Sequence, residues 1–206
     1  MAAPVWFFGF DSLMEFIAFA IAMAVALQAM KGYALAKERT LLYLNLSFIL
    51  LGAGLLVDGI ANLIVLLSRF HRAFLFLSAV GYTINFVAQV LAYGILIFAY
   101  LHQTRGWGSQ LVAAVVPLTL PEHHPLTELI LVFLVIYVAA QTAVNYNVSK
   151  TTSSLLVFGA FTSLAIAHVF FLLFSLAPIF FPFAHIAQLF GFLLLLGMLF
   201  RVNQPQ

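Results

Sequence analysis

Residues 40–67 read TLLYLNLSFILLGAGLLVDGIANLIVLL and carry a single charge, Asp58. About 20 consecutive apolar residues cross the ~30 Å hydrocarbon core of a bilayer as a helix, so this stretch is long enough to span a membrane. It is also bracketed by polar turns, with Lys31, Lys37, Glu38 and Arg39 before it and Ser68, Arg69, His71 and Arg72 after it. A hydrophobic helix flanked by charged turns is the signature of a transmembrane span.

Working outward, the same pattern recurs. Apolar runs cover 11–30 and 73–101, then 126–144, 153–176, and a last one that follows Pro178 and Pro182 and ends near Phe200. The whole chain agrees: of 206 residues 65% are hydrophobic and 7% charged, against roughly 25% charged in soluble domains. The expected fold is therefore all-α, a polytopic membrane helix bundle of six spans in one domain, residues 1–206. Six spans place both termini on one side. The uncharged start and long first run read as a retained span, because a cleavable signal has a basic start and a shorter apolar core.

The longest connection, 105–124, contains the apolar piece 111–120, which is too short to cross and is interrupted by Pro117 and Pro121. It reads as interfacial. Counted by loops, the basic residues divide evenly, with Lys31, Lys37, Arg39 and Arg105 on one side and Arg69, Arg72, Lys150 and Arg201 on the other. The first side is taken as cytoplasmic, since the first loop usually dominates, making this a multi-pass protein of the cell membrane.

An internal duplication is visible. At an offset of 113, Glu15 falls on Glu128 and Gln28 on Gln141; at 110, Asp58 falls on His168; at 99, Ala88-Gln89 falls on Ala187-Gln188. The offset changes only at turns, which divides the chain into three-helix halves, 11–104 and 125–203. Three spans per half imply an inverted 3+3 repeat, with Asp58 and His168 just either side of the midplane.

Polar groups inside apolar helices are the candidate site. Asp58 costs ~2.5–3.5 kcal/mol on insertion scales, so it calls for a proton, a cation or a partner such as Tyr82, Asn85 or Asn62. His168 and His185 sit at matching depths on neighbouring helices and suit proton transfer or axial ligation of haem b; a bond from His168 to Ser163 is the simpler alternative. Gln89 joins this set, giving Asp58, His168, His185, Tyr82, Asn85 and Gln89. Glu15 and Glu128 are explained by the positive N-termini of their helices, and Gln28, Gln141 and Asn45 by interhelical hydrogen bonds. His123 and His124 read as solvated loop residues.

Chemistry classes can be excluded. Without Cys there are no disulfides, thiolate metal sites or thiol nucleophiles. Metalloprotease, phosphate-loop and serine-hydrolase motifs are missing, so catalysis is not expected, and a net charge of +2 offers no basis for binding nucleic acid. The leading expectation is a transporter- or channel-like protein with no cofactor. The alternatives are a non-catalytic subunit of a larger membrane complex, holding haem b at His168 and His185, and a sensor module that acts through a partner chain. Expected partners are the lipid bilayer, other membrane subunits or a second copy.

Overall fold

The computed structural model describes residues 5–68, 72–103 and 125–203. The apolar runs form six α-helices: α1 (Val5–Ala36), α2 (Arg39–Leu67), α3 (Arg72–Gln103), α4 (Pro125–Ser149), α5 (Thr152–Phe174) and α6 (Phe180–Val202). All six are long and apolar enough to cross a membrane. Burial settles the environment. Leu13, Phe76, Phe133 and Leu193 are 50–75% exposed on the outside, whereas Asp11, Glu15, Asp58, Glu128, His168 and His185 are each at most 6% exposed. An outside of large hydrophobics around a polar interior is stable in lipid and not in water, and the chain is an integral, multi-pass membrane protein.

Helix ends depart from expectation where polar residues lack breaking power. The polar stretch 145–149, beyond the apolar run expected at 126–144, continues α4, because none of its residues is Gly or Pro. Both α1 and α4 stop instead at a lysine in the left-handed region, Lys37 at φ 56° and Lys150 at φ 51°. Each donates its N–H four residues back, to the carbonyls of Tyr33 and Tyr146 at 2.8 Å, which is the αL termination. Thr151 then caps α5 by accepting from Ser154 N–H at 3.2 Å. Pro182 is tolerated because it lies in the first turn of α6, where N–H groups have no helical partner.

Each helix packs on its neighbours in sequence, and α6 closes back on α1. Small residues permit close approach: Ala18, Ala22, Ala26 and Ala29 are fully buried along α1. A continuous core of Phe48, Leu51, Leu131, Val135, Phe161, Phe192 and Leu195 draws on α2, α4, α5 and α6.

The directions of the helices do not confirm the inverted repeat. Helices α1 and α6 are parallel: Phe7 packs on Phe181 at 4.3 Å near their starts, and Asn203 beyond the end of α6 donates to the Gln28 carbonyl at 2.9 Å. Helices α3 and α4 are parallel too, since Tyr82 in the first third of α3 bonds Glu128 in the first turn of α4 at 3.1 Å. Near the opposite ends, Tyr100 shares a cavity wall with Thr142 and Asn145. Counting spans assumes that every connection is a short turn. The 21 residues at 104–124, with the expected interfacial stretch 111–120, Arg105, His123 and His124, lie outside the described residues, and 21 residues have ample reach, at ~3.3–3.6 Å each, to join opposite faces.

Two further expectations change with it. The start of α1 and the end of α6 lie on opposite faces. Among the described residues the basic positions are not evenly divided: Lys31, Lys37, Arg39, Lys150 and Arg201 gather at the face where α1, α3, α4 and α6 end, while Arg72 begins α3 at the other.

Candidate functional site

Towards the face opposite these basic residues, every helix contributes a polar side chain to one buried cluster. Helix α2 supplies Asp58 and, one turn on, Asn62, both of which point into the bundle. Asn62 donates to Asp11 Oδ2 on α1 at 2.8 Å and lies 3.4 Å from Asp58 Oδ1. Ser78 on α3 donates in turn to Asn62 Oδ1 at 2.6 Å. Further along α3, Asn85 donates to Asp58 Oδ2 at 3.2 Å and Gln89 donates to Asn85 Oδ1 at 3.2 Å. Two glycines make this possible: a Cβ on Gly81 would lie 2.6 Å from Ala61 Cβ, and one on Gly54 2.8 Å from Asn85 Oδ1.

The second half completes the cluster. Glu128 on α4 accepts from Tyr82 OH at its Oε1 and meets His168 Nδ1 at its Oε2, 3.2 Å away. Thr127 also bonds Tyr82. The other nitrogen of His168, Nε2, meets Tyr93 OH at 3.0 Å. On α6, His185 Nε2 lies 3.0 Å from Asp11 Oδ1. Its ring is enclosed edge-on by Phe171 at 5.1 Å and Phe181 at 4.6 Å.

These groups surround a cavity of about 30 Å³ lined by Asp11, Glu15, Asp58, Glu128, His168 and His185, with Tyr82, Asn85, Gln89 and Gln188 on its polar walls. That volume holds roughly two water molecules. The charge balance is one-sided. Four carboxyl groups face two imidazoles, while the described side chains of Lys and Arg (Lys31, Lys37, Arg39, Lys150 and Arg201) are all exposed far from it. With every carboxyl ionised and both imidazoles protonated, two negative charges would remain buried, a state that desolvation strongly opposes.

Apolar layers lie on both sides of the cavity. Towards the nearer face Phe7, Phe8, Val65 and Phe181 form a thin cap, with Phe171 and Phe174 against it. Towards the basic face lies the thicker main core. Beyond that core, the ends of the helices surround a vestibule of about 360 Å³ lined by Glu38, Thr40, Tyr100, Thr142, Asn145 and Ser154.

All six candidate residues read from the sequence, Asp58, His168, His185, Tyr82, Asn85 and Gln89, line this cavity. Asp58 and His168 do not straddle the midplane: at 1.5 Å per residue each lies about 7–8 Å from the middle of its helix, towards the same face. Sequence reasoning passed over Asp11, Glu15 and Glu128. The two glutamates were explained by helix ends, yet α1 begins at Val5, which puts Glu15 in its third turn. The polar matches between halves carried the overlooked signal, since Glu15 with Glu128, Asp58 with His168 and Gln89 with Gln188 all meet here. Asn45 is structural as expected and donates to the Ala26 carbonyl at 2.8 Å. Ser163 bonds the Ala187 carbonyl at 2.7 Å.

Haem b between His168 and His185 would need a free nitrogen on each ring and a porphyrin-wide slot. Here both nitrogens of His168 are bonded, Phe171 and Phe181 pack on His185, and the cavity is of water size. This arrangement does not fit the group. Among the described residues no three metal-ligating side chains are placed to share an ion. Comparison with protein-family models, curated proteins and solved structures finds no match.

Proposed function

We propose that this protein is a small transporter- or channel-like membrane protein that passes protons, alone or with a solute, through the carboxylate–imidazole cavity. One observation carries the reading: helices from both halves bring four carboxyls and two imidazoles to one water-sized chamber inside the bundle. A carboxylate at bilayer depth costs ~2.5–3.5 kcal/mol, and hydrophobic packing would stabilise the bundle with none of that cost. Asp58 and His168 are buried, but the space between them is polar and roomy enough for water, not dry packing.

The duplication supports the same reading, with halves related by an axis along the membrane normal in place of the inverted arrangement. Tyr33 and Lys37 recur at an offset of 113 as Tyr146 and Lys150, each ammonium lying over its ring at 5.8 Å and 5.2 Å. Three of the matched polar pairs, Glu15 with Glu128, Asp58 with His168 and Gln89 with Gln188, line the cavity, as pairs near such an axis would. The excess of Lys and Arg among the described residues there supports a cytoplasmic side for the basic face, with the vestibule. Conduction then requires the aromatic cap and the core layer to open in turn.

The test is proton flux into liposomes carrying the purified protein and a trapped pH-sensitive dye, with the membrane potential clamped by potassium and valinomycin. Wild type should dissipate a pH gradient faster than empty liposomes, and Asp58→Asn and His168→Ala should each slow it at least tenfold. Wild-type flux no greater than that of empty liposomes would refute the proposal.

A further inference from the structure

Glu15 differs from the other three cavity carboxyls in its partners. Asp11 has His185 at Oδ1 and Asn62 at Oδ2. Asp58 has Asn62 at Oδ1 and Asn85 at Oδ2. Glu128 has Tyr82 at Oε1 and His168 at Oε2. Glu15 is 5% exposed and lines the cavity, yet its Oε2 has no hydrogen-bond donor among the described residues. It shares the cavity with Asp58, and its Oε2 lies 3.5 Å from where a Cβ would stand on Gly59, the residue next to Asp58, where α1 and α2 close together. Two ionised carboxylates have only acceptors to offer one another, and a bond between them needs a hydrogen.

We propose that Glu15 and Asp58 hold one shared proton and form the loading point of the cavity. This deepens the conduction reading and rests on its view of the cavity. The balance is simple. A proton arriving from cavity water adds to the carboxylate pair and leaves it with one negative charge; its departure to water returns two. The groups that face this pair are Asp11 on α1, Tyr82, Asn85 and Gln89 on α3, Glu128 on α4, His168 on α5 and His185 on α6. A proton fits better than a metal cation. A hard cation asks for about six oxygen ligands, but the oxygens of the other three carboxyls are already engaged and the chamber holds roughly two waters.

The test is infrared spectroscopy of the protein in liposomes, read at the C=O stretch of protonated carboxyl groups in buffer at fixed pH. Wild type should show this band, and Glu15→Gln and Asp58→Asn should each lose one carboxyl equivalent of it. Glu128→Gln should keep it. A missing band in wild type, a band that survives Glu15→Gln, or loss of the band when sodium replaces potassium would overturn the shared proton, the last in favour of a bound cation. Should Glu15→Gln fail to purify as a monodisperse species, Glu15→Asp takes its place: the shorter arm should shift the band, and an unshifted band overturns the proposal. The band is read without transport. A protein with the band but no flux sinks conduction alone, whereas flux with no Glu15-dependent band sinks only the shared proton.

Discussion

Gly81→Ala is a stringent test of the contact that positions Asp58. The added methyl would sit 2.6 Å from Ala61 Cβ, 3.1 Å from Asp58 Oδ1 and 3.2 Å from Asp58 Cα. Carbon atoms prefer ~3.5–4.0 Å, so α2 and α3 must separate by about 1 Å at this level. Overpacking of this kind costs ~1–3 kcal/mol, against a helix-propensity gain of ~1 kcal/mol for Gly→Ala. The net loss reaches ~2 kcal/mol, or a fall of roughly 4–8 °C in Tm for a chain of this size. Gly94, on the same helix, provides the control: a Cβ there meets nothing within 4 Å, so Gly94→Ala should gain ~1 kcal/mol and about 2–4 °C. The assay is the temperature at which half of the monodisperse size-exclusion peak is lost in detergent. The same 1 Å separation stretches the Asn85–Asp58 bond beyond its present 3.2 Å, so proton flux should fall with stability. Gly81→Ala as stable as Gly94→Ala would show that α2 and α3 do not meet as described.

Phe181 closes the cap over the cavity, so Phe181→Ala should remove up to ~3–5 kcal/mol of packing and raise passive proton leak in liposomes; an unchanged leak would remove the cap as a barrier. Asn45→Ala loses one buried hydrogen bond to a backbone carbonyl, worth ~1 kcal/mol, and should lower Tm by about 2–4 °C while leaving proton flux intact. The optical spectrum of the purified protein, oxidised and dithionite-reduced, should lack a Soret band, and split α/β peaks that vanish in His168→Ala would show that haem displaces the Tyr93 and Glu128 bonds.

The amino-acid sequence disclosed the helices and half of the site for one reason: the energetic cost of polarity in lipid. Long apolar runs have a single stable form in a bilayer, and Asp58 and His168 stand out because each is costly where it lies. What stayed hidden depended on tertiary geometry. The 145–149 stretch is polar without being helix-breaking, so its place in α4 was lost, and Glu15 was explained by a helix start that lies ten residues before it, at Val5. The direction of the second half turns on which faces the 104–124 connection joins. Composition does not encode that, whereas the contacts of Asp11 with His185 and of Tyr82 with Glu128 do.

The claim that both halves run in the same direction, and so bring their matched polar residues to one cavity, has a direct test because the chain contains no Cys. Lys37→Cys and Lys150→Cys are made separately and labelled with a membrane-impermeant maleimide in sealed vesicles of defined orientation. Both should react from the same side and be protected from the other. Labelling from opposite sides would restore the inverted arrangement and dismantle the common cavity.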